Sequence, residues 1–188
     1  MKAFIQEFLL TLLVAVVIFA SLQYSVQTFS VLHTSMEPNF YEDQRIMVNK
    51  LAYRFGQPER GDVIVFTPPN PGNGDYIKRV IGIPGDAVEV KKGYVYVNGT
   101  PLEEPYIMDA PGYTMPEREV PVDKYFVLGD NRNNSEDSHH GWYASETAII
   151  GKVWLSLWPL DLIGTIEQYD LAGELSTNIL ALVSINQS

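Results

Sequence analysis

Three stretches of this chain hold residues whose types and surroundings allow covalent chemistry. Ser35 stands in His33-Thr34-Ser35-Met36-Glu37-Pro38-Asn39-Phe40. Lys78 stands in Tyr76-Ile77-Lys78-Arg79-Val80-Ile81-Gly82-Ile83-Pro84-Gly85-Asp86, with Ile77, Val80 and Ile81 around it. The run Gly129-Asp130-Asn131-Arg132-Asn133-Asn134-Ser135-Glu136-Asp137-Ser138 is almost wholly polar. A hydroxyl is a weak nucleophile at neutral pH and needs a base beside it. The chain has no cysteine and three histidines, two of them the adjacent pair His139-His140. That composition removes thiolate chemistry and supplies a histidine-based zinc site poorly, so no metal and no cofactor are expected. The remaining type of base is a neutral lysine. An ordinary lysine is neutral only about once in 2,500 at pH 7, so Lys78 would have to be buried deeply enough to lose roughly 2 to 3 pKa units. Each stretch also has a plain reading: a serine ahead of a proline turn, a lysine snorkelling from a strand, and a solvated loop.

The elements that would position these residues are short. Apolar, β-branched runs at Arg45-Asn49, Asp62-Phe66, Tyr76-Ile83, Ala87-Lys91, Tyr94-Val97, Lys124-Leu128 and Gly151-Leu157 read as strands. Turn chemistry separates them at Pro68-Pro69-Asn70-Pro71-Gly72-Asn73-Gly74, at Ile83-Pro84-Gly85-Asp86 and at Asn98-Gly99. Val88 to Val97 alternates apolar and polar about a Lys-Gly turn, the pattern of a hairpin with one wet face. Strands at this spacing without helices between them predict a mainly β domain, an antiparallel barrel-like or sandwich sheet. Glu103 to Val122 is proline-rich and without period, and reads as a long excursion.

Ahead of this domain, Phe8 to Leu22 is apolar on nearly every face, and no charge falls between Glu7 and Glu37. About 20 such residues span the roughly 30 Å hydrocarbon core as a helix. One transmembrane helix over 8–28 is expected, after a short N-terminal segment 1–7 and ahead of a β domain over 29–164 and a C-terminal extension over 165–188 of no assigned role. A cleavable signal peptide and a buried core helix are the competing readings. The charge balance, 13 Lys+Arg against 23 Asp+Glu for a net −10, repels phosphate backbones and excludes nucleic acid as a partner.

Four blocks in order carry a specific resemblance: Ser35-Met36-x-Pro38; Arg60-Gly61-Asp62-Val63-Ile64-Val65-Phe66; Lys78-Arg79-Val80-Ile81-Gly82-x-Pro84-Gly85-Asp86; and Gly129-Asp130-Asn131-Arg132-x-x-Ser135-x-Asp137-Ser138. Together with Gly151-Lys152-Val153 and Trp158-Pro159-Leu160, they resemble the bacterial type I signal peptidases. The resemblance runs from the anchor to about Gly164. It implies a serine endopeptidase held in the cytoplasmic membrane by one span, with 1–7 cytoplasmic and 29–164 the catalytic domain on the extracytoplasmic side. Such an enzyme removes signal peptides from secretory preproteins with small residues at the cleavage site. Ser35 would be the nucleophile and Lys78 the general base. Ser135 would hydrogen-bond and orient Lys78, while Asp130, Asp137 and Arg79 form the supporting network. The backbone N–H of Ser35 would help hold the oxyanion, and membrane lipid would be a further partner.

The chain departs from that family at two places. Two residues before the nucleophile, where the family usually has Ser or Gly, stands His33, whose ring N–H could serve as the second oxyanion donor. After Asp137-Ser138, where the family usually has Arg, stands His139, so an ion pair to Asp137 is absent, pH-dependent or supplied by Arg132. Two rival readings are a self-cleaving Ser/Lys repressor protease and a catalytically impaired, membrane-anchored binding module on the same scaffold. The first would need a DNA-binding region, where this chain has an apolar segment and a net negative charge.

Overall fold

The structure is a computed structural model that describes residues 2–70, 72, 74–167, 169 and 171. Its elements are the helix α1 (Lys2–Ser25) and twelve strands. These are β1 (Val26–Ser30), β2 (Arg45–Asn49), β3 (Val63–Phe66), β4 (Tyr76–Gly82), β5 (Ala87–Lys91), β6 (Tyr94–Val97), β7 (Thr100–Pro101), β8 (Met115–Glu119), β9 (Lys124–Leu128), β10 (Ala144–Ser145), β11 (Ile149–Trp158) and β12 (Gly164–Thr165). All pairings are antiparallel. One sheet runs β1-β2-β11-β3-β4-β9-β10, with β12 on β11, and a second runs β7-β6-β5-β8. The mainly β, antiparallel expectation holds. Turn segment 68–74 includes positions 71 and 73, which lie outside the described residues.

Within α1, Phe4–Ser25 is long and apolar enough to cross a membrane by length and composition, and Phe4–Ser21 is exposed throughout. The helix begins at Lys2 and stops at Ser25, so residues 26–28, expected in the apolar segment, belong to the sheet instead. The reason is that Val26, Thr28 and Phe29 are β-formers and the run pairs in register with Asn49 to Ile46 of β2.

Period-two alternation builds the cores. In β3, Val63 and Val65 pack with Met36, Phe40 and Ile46, while Ile64 and Phe66 point the other way, to Val80, Tyr125 and Val127. A third cluster lies under the small sheet, where Val88, Val90, Val95 and Val97 meet Ile81, Phe126 and Leu128. β8 falls inside the excursion that carried no pattern. Its sequence Met-Pro-Glu-Arg-Glu hides Met115 and exposes its polar residues, as an edge strand tolerates.

The C-terminal extension lies mostly outside the described residues, but Leu171 is fully buried in the small-sheet core and Tyr169 packs on Tyr106 with ring centroids 4.9 Å apart. Leu171→Ala should therefore lower stability by about 2–5 kcal/mol. The check is the urea midpoint of unfolding; a midpoint equal to wild type would mean that Leu171 contributes nothing to the core.

Candidate active site

Lys78 and Arg79 are neighbours in β4, and a strand sends successive side chains to opposite faces. Both are buried, Lys78 with 4% of its surface exposed and Arg79 with 1%. Lys78 Nζ lies 2.6 Å from Ser35 Oγ and donates to the Ile77 carbonyl at 3.0 Å. Arg79 turns away and grips the fully buried Asp130 with both arms of its guanidinium, Nε at 2.9 Å and Nη2 at 2.7 Å. The Tyr106 ring covers the guanidinium from 4.2 Å and Tyr169 from 5.3 Å.

Ser35 sits in a turn held from below. Met36 and Phe40 are fully buried, and Met36 O accepts from the N–H groups of Asn39 and Phe40. From above, the polar run after β9 clamps the same turn. Asn131 N–H donates to Ser35 O at 3.0 Å, Asn131 Nδ2 to Thr34 O at 3.1 Å, and Asn134 Nδ2 to Thr34 Oγ1 at 2.9 Å. Asn39 Nδ2 ties the turn to Asp130 at 2.8 Å. The Arg79–Asp130 pair thus anchors both sides of the nucleophile's turn.

Gly129 is the point of closest approach. A Cβ there would fall 2.2 Å from Ser135 Oγ and 2.4 Å from the Ser35 carbonyl oxygen, distances no side chain tolerates. Its N–H donates to Asp137 Oδ2 at 2.9 Å. Asp137 is fully buried, and its Oδ1 receives the His139 backbone N–H at 3.2 Å and lies 2.6 Å from His139 Nδ1. Burial pushes the Asp137 carboxyl pKa up, but the His139 contact, the Gly129 N–H and the nearby Ser135 hydroxyl outweigh it and hold the pKa below the usual carboxylate value. Ser135 Oγ is itself buried and completes no hydrogen bond with any described residue. The expected Ser135–Lys78 hydrogen bond is therefore not formed: the lysine's reach ends at Ser35 and Ile77. Arg132 does not serve Asp137 either; its guanidinium is taken by Glu104, at 2.8 and 2.7 Å.

Burial dominates at Lys78 and brings its pKa from 10.5 down to about 8, against the opposing pull of Asp137, then Asp130 and Glu136. The site opens on a groove of about 930 Å³ between Phe29–Ser35 on one wall and Asp75–Lys78 on the other, with Asn133, Asn134 and Ser135 beside them. His33 lines it, exposed and with φ 67°, and so faces solvent rather than a fixed partner.

Asp137, His139 and His140 place ligand atoms within 4.8 Å of one another. A tetrahedral cation at about 2.0–2.1 Å from each ligand holds neighbouring ligand atoms roughly 3.3 Å apart. The 2.6 Å between Asp137 Oδ1 and His139 Nδ1 is a hydrogen-bond distance, so this pair as arranged shares a proton.

The signal peptidase, peptidase S26 family model matches residues 3–158. This chain belongs to the signal peptidase (peptidase S26) family. It is 46% identical to the signal peptidase I of Leptolyngbya laminosa over 137 residues, 69% of this chain and 68% of that protein. Over 175 residues it is 38% identical to probable signal peptidase I-1 of a Synechocystis strain, covering 88% of this chain and 89% of the relative. Over 178 residues it is 36% identical to signal peptidase IB of Staphylococcus aureus, covering 85% and 92%. A signal peptidase I from Enterococcus faecalis V583 of known crystal structure aligns with 51% of this chain and 96% of its own at 31% identity and a TM-score of 0.45. As a signal peptidase family member the chain is a peptide-bond hydrolase of the serine peptidase class. The family match ends at Trp158, so Tyr169 over Arg79 lies beyond it.

Residues missed from sequence are Asn39, Asn131, Asn134 and Gly129 as clamps of the Ser35 turn, and Glu104 as the partner of Arg132. The first four sit inside or beside the quoted blocks, where polar density was the signal. Glu104 sits in a patternless segment and had none. Gly129→Ala should collapse the site by pushing Ser135 and the Ser35 carbonyl apart. The expected result is a loss of cleavage rate of about 10²-fold or more, since displacements near 1 Å cost that much; peptide cleavage by the purified variant checks it.

Proposed function

We propose that this chain is a membrane-anchored serine endopeptidase that removes signal peptides from secretory preproteins with a Ser35/Lys78 dyad. The observation that carries the reading is the 2.6 Å contact between Ser35 Oγ and a buried Lys78 Nζ whose pKa lies near 8. Such a lysine is neutral in roughly a tenth of molecules at pH 7, a gain of more than two orders of magnitude over an exposed one. Neutral Lys78 takes the Ser35 proton as Oγ attacks the scissile carbonyl, and the ammonium then gives a proton to the leaving amine. Lys78 next activates the water that hydrolyses the acyl-enzyme. The Ser35 N–H, with His33 as a second donor from the groove wall, serves the oxyanion. Ser135, Asp130, Asp137 and Arg79 support the dyad, Ser135 from a buried hydroxyl that lines the same groove as Lys78.

The substrate lies extended in the groove, between the Phe29–Ser35 and Asp75–Lys78 walls, with main-chain hydrogen bonds for affinity and small side chains at the cleavage site. Phe4–Ser25 is the single membrane span, and the β domain lies on the extracytoplasmic side. Trp154 and Trp158 of β11 and Leu160 and Ile163 just after it are exposed, and tryptophan suits the lipid interface. No metal or cofactor enters this mechanism.

Two outcomes test the reading on the detergent-solubilised chain with a preprotein whose cleavage site carries alanine. Ser35→Ala and Lys78→Arg should each fold and lose cleavage by at least about 10³-fold, because one lacks the nucleophile and the other keeps the charge but cannot deprotonate. Activity within tenfold of wild type in either variant would refute the dyad. For the wild type, kcat/KM should rise with pH as Lys78 loses its proton, with an apparent pKa near 8. A profile flat from pH 6 to 9 would mean that the base is a different group.

A further inference from the structure

Asp137 is fully buried and hydrogen-bonded to the Gly129 N–H, the residue on which the Ser35 and Ser135 segments close, yet it has no arginine or lysine partner among the described residues. Its charge is met by one ring. His139 is mostly buried, with 16% of its side chain exposed, and its Nδ1 lies 2.6 Å from Asp137 Oδ1. The ring is stacked on Tyr113 with centroids 4.2 Å apart and an 18° interplanar angle, and the His140 ring packs against it, tilted, at 3.7 Å. Asp137 itself sets the distance at which the ring must lie, because its other oxygen is committed to Gly129.

We propose that His139 is a positioning residue of the catalytic site: its ring holds the Asp137 carboxylate under the Gly129 turn, and its charge state tunes how readily Lys78 gives up its proton. The inference rests on the Ser35/Lys78 reading. Asp137 is the strongest of the carboxylates that favour the charged form of Lys78. A neutral imidazole donates its hydrogen bond and leaves that field in place. An imidazolium donates the same bond and offsets the field, so Lys78 deprotonates more readily. The readiness of Lys78 to act as base then depends on whether the His139 ring carries a charge.

The groups facing the ring are few. Its own turn supplies Asp137, His140, and Glu136, which lies 3.8 Å from His140 Nδ1. The segment before β8 supplies Tyr113, whose hydroxyl burial pushes its titration upward, with Asp137, Arg132 and Glu104 acting on it. From β8, Arg118 Nη1 comes within reach of Gly141 at the end of the same turn. Lys78 of β4 feels the charge of Asp137 first among the carboxylates. Of these, His139 alone both touches Asp137 through its side chain and can change its own charge without losing the hydrogen bond.

The test compares kcat/KM against pH for the full-length, detergent-solubilised wild type, His139→Arg and His139→Gln, with thermal unfolding of each as the fold control and Tyr113→Phe as a control that keeps the stack. A permanent cation should move the rising limb about one pH unit toward acid, a shift of the size expected for one charge at close range. His139→Gln, a neutral donor, should leave the limb at or above the wild-type position and remove any departure from a single titration. Tyr113→Phe should leave the limb in place. Limbs coinciding within about 0.2 pH unit in wild type and a folded His139→Arg would overturn the proposal, even if both histidine variants were less stable. If the glutamine variant does not fold, the arginine variant decides alone. A failure of the dyad reading itself is distinguishable, because Ser35→Ala would then still cleave, whereas failure of this inference leaves Ser35→Ala inactive.

Discussion

The desolvation of Lys78 is the constraint on which the rest of the structure depends. An ammonium taken out of water is costly, and the site offers it three carboxylates nearby but no direct ion pair among the described residues. Burial wins, and the pKa falls to about 8. β4 pairs with β3 along Lys78, where Ile64 stands directly opposite, and with β9 from Arg79 on.

The second burden is to keep the carboxylates close enough to organise the turn and far enough not to trap the proton on Lys78. Asp130 is neutralised by the bidentate Arg79, itself roofed by Tyr106 and Tyr169. Asp137 has only His139 for the same task. The Arg79–Asp130 pair therefore works as a scaffold: burying it is expensive, and its geometry repays this by tying Asn39 and the 130–138 run to a single point. Removing either partner would strand a charge in the interior.

The Ser35 turn has no regular secondary structure to stiffen it, so its precision comes from clamps at two levels. Met36 and Phe40 anchor it in the core below, and Asn131 and Asn134 pin it from the loop above. Gly129 lets those levels meet. The open side remains the groove lined by Phe29–Ser35 and Asp75–Lys78.

Much of this was legible in the sequence because it depends on local pattern. Alternation and turn chemistry located β2, β5, β6 and β9 at their observed bounds and β3, β4 and β11 within two residues. The apolar run announced α1, and the ordered blocks singled out Ser35, Lys78, Arg79 and Asp130. β1 was absorbed into the apolar segment because hydrophobicity is common to a membrane helix and a strand, and only pairing with β2 tells them apart. β8 and Glu104 left no signal, since an edge strand and a long-range ion-pair partner owe their role to what packs against them. Asp137 was recognisable as a supporting acid, but whether His139, Arg132 or nothing answered it was undecided, because partner choice is a matter of distance across the fold: Glu104 captures Arg132, and His139 is two residues away on a tight turn. The types of residue that can do chemistry are written in the chain, but the burial that makes a lysine a base comes from strands far apart in sequence closing over it, and only the tertiary structure decides that.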